Sequence, residues 1–231
     1  MIKIEVLYGE VCNLHGELMN IEYLRQCIKD CEIISTKLNE KPHFVNKKVD
    51  MIYLGPMTES IQSKVIEKLT PYKEKLEELI KNGTLMLFTG NAYEVLGKYI
   101  EADDKKIKCL DILDFYTKRH LNKRINQLIQ GKHNEITILG YKSIFTETYS
   151  KEKEFIEVEK GSGTNLESKK EGIHVKNLFA TSLLGPILIL NPDFTKLILK
   201  ILKVKNELVF NDEIYKAYEV RLREFNERVE K

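Results

Sequence analysis

Cys12 and His15, three residues apart, are the simplest pairing of a nucleophile with a base in this sequence. A thiolate can attack an amide carbon while an imidazole within reach carries the proton away. The spacing could bring both onto one turn, although two unrelated packing residues would look the same. A second constellation is Leu85-Met-Leu-Phe-Thr-Gly90-Asn-Ala92. An apolar strand, a tight turn of small residues and a following helix make the shape of a nucleophile elbow, whose first helical amides could hold an oxyanion. The turn itself is Gly90, which has no side chain. Thr89 before it would point down the strand and lacks a base. The basic run from Lys118 to Arg124 could meet phosphate, but a solvated segment explains it as well. His133 and His174 are read as surface or packing histidines.

An elbow needs a sheet to hold it, and the alternation of apolar residues supplies one. Strands are expected over 2–8, 32–36, 51–54 and 84–88, the last a compact apolar run suited to burial on both faces. Helices are expected over 20–29 and over 60–81, the second broken before Pro71 and closed by Asn82-Gly83. A further helix should follow Gly90, carrying Tyr93, Val95 and Leu96. Strand–helix alternation of this kind argues for a parallel sheet covered by helices. Beyond about Lys105 strands are expected over 107–115, 135–141, 155–158 and 174–180, with no long helices between them, so that half should be antiparallel or mixed. Helices over 193–203 and 211–229 close the chain, and one domain spanning 1–231 is the economical reading. In such a sheet ligands bind beyond the carboxyl ends of the strands. The candidate segments are therefore 9–20, 55–59, 89–93 and 181–186.

Bulk properties exclude several classes. The 231 residues are 42% hydrophobic and 31% charged with a formal net charge of +2, so no strong field recruits nucleic acid or an anionic surface. No apolar run approaches the roughly 20 residues needed to cross a bilayer, and no signal-peptide layout is present, so a cytoplasmic protein without membrane insertion is expected. The four cysteines, Cys12, Cys27, Cys31 and Cys109, fit free thiols of a reducing compartment. Cys27 and Cys31 lack the second Cys/His pair that zinc needs. With no Gly-rich phosphate loop either, neither metal nor cofactor is expected.

Three stretches together resemble one family. LMLFTGNAYEVLG, Leu85 through Gly97, resembles the elbow of class I glutamine amidotransferases, L-x-x-C-G-G-Y-Q-x-L-G. Tyr93, Leu96 and Gly97 register, and Glu94 falls where Gln is usual. Gly90 thus stands at the cysteine and Asn91-Ala92 at the two glycines. Leu7 through Asn20, with Glu10, Cys12, Asn13, His15, Gly16 and Asn20, is similar to the L-Y-P-D-x-x-N-x-Y-G-D-x-G-N opening of one subgroup. That subgroup comprises the cobyric acid synthase amidotransferase domains and the amidotransferase subunit of the lipid II isoglutaminyl synthase. Asn177 through Pro186 resembles N-x-x-G-T-Y-x-H-G-P, with Leu184 at the histidine, and Leu188 and Asn191-Pro192 continue the agreement.

The resemblance implies an α/β, flavodoxin-like fold with a mixed, mainly parallel central sheet and helices on both faces. It also implies that both groups needed for glutamine hydrolysis are gone, since Gly90 and Leu184 can neither attack nor shuttle a proton. Lys142 and Ile144 stand in the family's G-[FY]-E-x-H segment, and Pro56 replaces a glycine in the exit from the third strand. Arg124, or less well Arg119, falls near the arginine the resemblance assigns to substrate glutamine. The expected site comprises Gly55, Thr89, Gly90, Asn91, Tyr93, Arg124 and Leu184, with Leu184, Tyr93 and Met57 able to fill it. The implied function is a catalytically degenerate binding subunit in cell-wall synthesis with a Mur ligase-like partner. Altered chemistry in the same pocket, through Cys12 and His15, and small-molecule sensing are the alternatives. Oligomeric state is left open.

Overall fold

The computed structural model describes residues 1–103, 105–205 and 207–229, with residues 228 and 229 described by backbone alone. β1 (Ile2–Leu7), β2 (Cys31–Thr36), β3 (Met51–Leu54) and β4 (Leu85–Thr89) pair in parallel, with Ile4 opposite Ile33 and Met51, and Leu54 opposite Phe88. β3 and β4 are buried at every position, which is why they read as continuous apolar runs. α1 (Met19–Cys27) connects β1 to β2. α2 (Glu59–Leu69) and α3 (Lys73–Lys81) connect β3 to β4 and are separated by the 3-10 turn Thr70–Tyr72. Pro71 in that turn has no amide hydrogen with which to continue the helical ladder. Gly83, at φ +76, then closes α3 in the left-handed conformation that a residue without Cβ adopts at no cost.

Short strands dominate the second half: β5 (Tyr99–Ala102), β6 (Lys105–Lys108), β7 (Phe115–Arg119), β8 (Ile125–His133), β9 (Ile136–Ile144), β10 (Thr146–Ser150), β11 (Ile156–Lys160), β12 (Lys170–Glu171), β13 (Ile173–Val175), β14 (Leu178–Thr181) and β15 (Leu183–Leu184). The chain ends with α4 (Ile187–Leu190), α5 (Pro192–Ile201) and α6 (Asn211–Val229). β14 joins β4 in parallel and β13 folds back on β14, giving a six-stranded sheet ordered β13-β14-β4-β3-β1-β2. One of its faces buries Leu7, Ile52, Leu54 and Phe88 with Val65 and Leu69 of α2 and Leu76 of α3. The other buries Ile4, Val6 and Leu87 with Leu24 of α1 and Phe194 and Ile198 of α5. Helices therefore cover both faces of a mainly parallel sheet, as the sequence implied. The remaining strands make two further sheets, β10-β7-β5-β6 and β12-β11-β8-β9-β15.

Several sequence expectations need correction. The strand over 107–115 does not form: β6 ends at Lys108 and β7 begins at Phe115, with Asp111 between them at φ 52. The strand over 174–180 is likewise split by Lys176 at φ 55 into the antiparallel hairpin of β13 and β14. Neither residue is the glycine that announces a left-handed turn, so apolar neighbours masked both. The helix after Gly90 is a 3-10 helix, Gly90–Leu96. β8, at INQLIQGKH, was not foreseen because its buried positions include Gln130, Gly131 and His133.

His133 packs at the end of β8, its Nδ1 2.7 Å from the Phe155 carbonyl oxygen and its ring edge-on to His174 with centroids 4.9 Å apart. Burial holds both imidazoles below the ordinary 6.5, and His174 is lowered further by the charge His133 would carry. Unfolded, both would take up protons as the pH falls through 6.5, so the unfolded state is favoured there. Stability present above that pH is lost below it. Urea unfolding of wild type and His174→Phe from neutral pH to about pH 5 should therefore show the wild type losing stability relative to the variant as the pH falls. The opposing contribution of the buried carboxyls, whose folded forms hold protons more tightly, cancels from that difference.

Candidate functional site

β4 delivers the chain to Gly90 in the left-handed conformation, φ +61. A Cβ built there would lie 2.5 Å from Pro56 Cβ and 3.1 Å from Leu184 Cδ2. Pro56 arrives from the exit of β3, and Leu184 belongs to β15, which is held against β9 by the pairing Leu184 to Tyr141. The two positions singled out in the sequence are thus neighbours, and the space between them is filled by apolar carbon. Beside them opens a cavity of about 160 Å³, whose lining includes Gly90, Asn91, Leu184, Arg124, Arg119 and His15. Met57 also borders it.

Gly55, Thr89 and Tyr93 lie elsewhere. Thr89 is buried with its hydroxyl 3.0 Å from that of Tyr53, and Tyr93 is buried with its hydroxyl 2.8 Å from that of Thr148. Gly55 lets the first loop press against the β3 exit, since a Cβ there would meet the Cys12 carbonyl oxygen at 2.4 Å. Tyr93 therefore does not plug the cavity; Leu184, Met57 and Pro56 border it instead.

A buried polar network forms the floor. Asn91 receives the Met57 amide on Oδ1 at 3.0 Å and donates its Nδ2 to the Met57 carbonyl at 2.7 Å. Gln62 Nε2 donates to the Asn91 carbonyl at 2.7 Å and to Glu94 Oε2 at 2.9 Å. Arg119 donates to Gln62 Oε1 and stands 3.8 Å from Glu94, while Thr146 donates to Glu94 Oε1 at 2.6 Å. Burial raises the Glu94 carboxyl, and the bonds from Thr146 and Gln62 and the Arg119 charge oppose that rise. Arg119 is therefore built into the wall. Arg124 is the exposed arginine, its guanidinium 4.4 Å over the Phe145 ring at the cavity edge.

The first-strand loop divides its residues between core and rim. Cys12 is buried, its Sγ 3.8 Å from the Met57 sulfur, and burial pushes its thiol up to about 12. His15 is exposed at φ 62 and lines the cavity. Glu10 and Asn13 are tied into loop contacts, Glu10 receiving the Leu38 amide at 2.7 Å and Asn13 the Leu18 amide at 2.9 Å. Gly16 carries the chain through φ +72. Glu17, which sequence reasoning missed, is fully buried and receives the Gly185 amide at 2.5 Å and Asn20 Nδ2 at 3.0 Å. Burial pushes its carboxyl up to about 7 against those bonds. Asn20 in turn receives the Leu188 amide at 2.9 Å, so Glu17 and Asn20 pin the segment carrying Leu184. Lys142 is also buried, donating to the Ser162 carbonyl at 2.9 Å and to the Gly163 carbonyl, 3.9 Å from Glu171.

A mainly parallel sheet with its elbow at the β4 exit and its facing segment after β14 defines a glutamine amidotransferase-type fold. The CobB/CobQ-like glutamine amidotransferase domain model matches residues 3–191, and the chain belongs to that family. It is 33% identical over 191 residues to the lipid II isoglutaminyl synthase (glutamine-hydrolyzing) subunit GatD of Staphylococcus aureus (strain N315), covering 81% of this chain and 79% of that protein. The subunit of the same name from Streptococcus pneumoniae (strain ATCC BAA-255 / R6) is 28% identical over 212 residues, covering 88% and 82%. A glutamine amidotransferase crystal structure from Thermotoga maritima shares the fold with a TM-score of 0.55 at 10% identity, over 95% of this chain and 92% of that one.

The close contact at Gly90 predicts the effect of adding one carbon. Gly90→Ala should lower the free energy of unfolding by about 1–3 kcal/mol, from overpacking and the left-handed backbone. Adding Pro56→Gly should recover part of that loss. Unchanged stability in Gly90→Ala, measured by urea denaturation, would contradict the packing described.

Proposed function

We propose that this chain is a catalytically silent glutamine amidotransferase-type subunit, a pseudoenzyme that works in the cytoplasm by binding a Mur ligase-like protein in cell-wall synthesis. The observation that carries the reading is the apolar closure at Gly90: Pro56 and Leu184 take up the volume into which a nucleophile would project. An acyl-enzyme needs a thiol or hydroxyl at that turn and a proton acceptor beside it. The Cys12 thiol does not meet this need, because it is buried against Met57 and its thiolate is disfavoured at neutral pH. Support for a binding role comes from the relatives, which are named as subunits of a synthase.

A second reading is favoured by the cavity itself. About 160 Å³ remains beside Gly90, with Arg124 at its edge and a floor of mutually bonded polar side chains, which suits a small molecule held without being cleaved. Under this reading the subunit reports ligand to its partner.

Glutamine incubated with the purified protein, alone or with a co-encoded Mur ligase-like protein, should release no ammonia above the uncatalysed background. The two proteins should bind with a dissociation constant in the micromolar range or tighter by calorimetry. Ammonia release that disappears in Cys12→Ala or His15→Ala would overturn the silent reading. Heat from glutamine binding without turnover, and none from the ligase-like protein, would select the second.

A further inference from the structure

The inward side chains of the β10-β7-β5-β6 sheet, Ile100, Phe115, Thr117 and Thr148, are buried. Its outward side chains fall into two rows fixed by the cross-strand register. One row is Lys108, Tyr99, Tyr116 and Tyr149. Tyr99 stacks on Tyr116 with centroids 5.3 Å apart, and Tyr116 on Tyr149 at 5.2 Å. The second row is Lys106, Glu101, Lys118 and Glu147, each directly opposite the next.

Stacking across strands accounts for the tyrosines within one molecule. The charges are only partly used within the molecule, Glu147 lying 3.9 Å from the His120 imidazole and receiving the Leu166 amide at 3.2 Å. Lys106 places its ammonium 4.3 Å over the Tyr99 ring and Lys118 places its own 5.4 Å over Tyr149, and among the described residues Glu101 closes no ion pair. Lys106 and Lys108 are exposed, and the other six residues of the two rows are half-buried.

A row of alternating charge with an even number of members becomes its own complement when reversed. Turned about a two-fold axis along the strands, between β5 and β7, the row Lys106-Glu101-Lys118-Glu147 meets Glu147-Lys118-Glu101-Lys106. Every contact is then between opposite charges. The same rotation sets Lys108 against Tyr149 and Tyr99 against Tyr116, a cation facing a ring and two rings facing each other. We propose that this face joins two copies of the chain about that two-fold axis. With strands ~4.8 Å apart the patch covers roughly a few hundred Å² per copy, below the roughly 800 Å² per partner of a standard interface, so the association is weak and transient and its selectivity comes from the charge pattern. It is independent of the cavity at Gly90.

Sedimentation velocity over a concentration series separates the outcomes. The wild-type chain should move from monomer to dimer as concentration rises into the micromolar range. Glu101→Lys and Lys118→Glu should each stay monomeric, because like charges then face each other at the centre. Mixing the two variants should restore a dimer, since the lysine introduced into one copy faces the glutamate introduced into the other; a purely intramolecular effect could not produce this. Lys106→Glu mixed with Glu147→Lys tests the outer contacts in the same way and serves if a central variant fails to fold. A wild-type chain that remains monomeric throughout, or mixtures that do not associate, would overturn the proposal.

Discussion

At residue 90 a left-handed backbone meets a space that has no room for a Cβ, and the surrounding structure is arranged around that contact. A sharp turn with positive φ between a buried strand and a helix is the geometry that lifts a nucleophile out of a sheet. Here the turn is kept, at φ +61, while Pro56 and Leu184 close over it. Glycine tolerates both the dihedral and the crowding, which any side chain would aggravate. Leu184 is held in place by the β9–β15 pairing on one side and by the Gly185 amide on the buried Glu17 carboxylate on the other. The apolar plug is therefore supported by bonds reaching back to the first loop of the chain.

Closing a polar site with carbon leaves its remaining charges to be satisfied elsewhere. Glu94 and Arg119 are bridged by Gln62, Thr146 donates to Glu94 as well, and Lys142 is surrounded by the Ser162 and Gly163 carbonyls with Glu171 beyond. Buried pairs of this kind add little net stability, yet losing one partner is costly because the other charge is stranded. They fix the walls of the cavity in one arrangement.

How much of this was legible depended on how local each cause was. β3 and β4 announced themselves because every side chain in them is apolar or small, and Pro71 and Gly83 marked the middle and end of the helical segment by their own covalent geometry. Asp111 and Lys176 turn the chain just as sharply without a sequence signature, so the apolar pattern runs through both as if the strands were continuous. At the site, the positions of Gly90 and Leu184 could be read from motifs, and the structure brings them into contact. Glu17 and Gln62 could not be read from the sequence, and Glu94 and Arg119, although they fall near family motifs, could not be read as joined through Gln62, because these bonds connect residues far apart in sequence. Tyr93 was misplaced for the opposite reason: its motif sits at the elbow, but the 3-10 helix turns its ring into the core beside Phe115.

Whether any group able to form a covalent bond with an amide faces this recess is tested most directly by a glutamine-analogue diazo ketone, which alkylates amidotransferase nucleophiles. Intact-mass spectrometry after prolonged incubation should show the unmodified protein, with any slow labelling that appears spread over the half-buried Cys27 and Cys31. A single stoichiometric adduct on Cys12, His15 or another residue bordering the cavity would contradict the account.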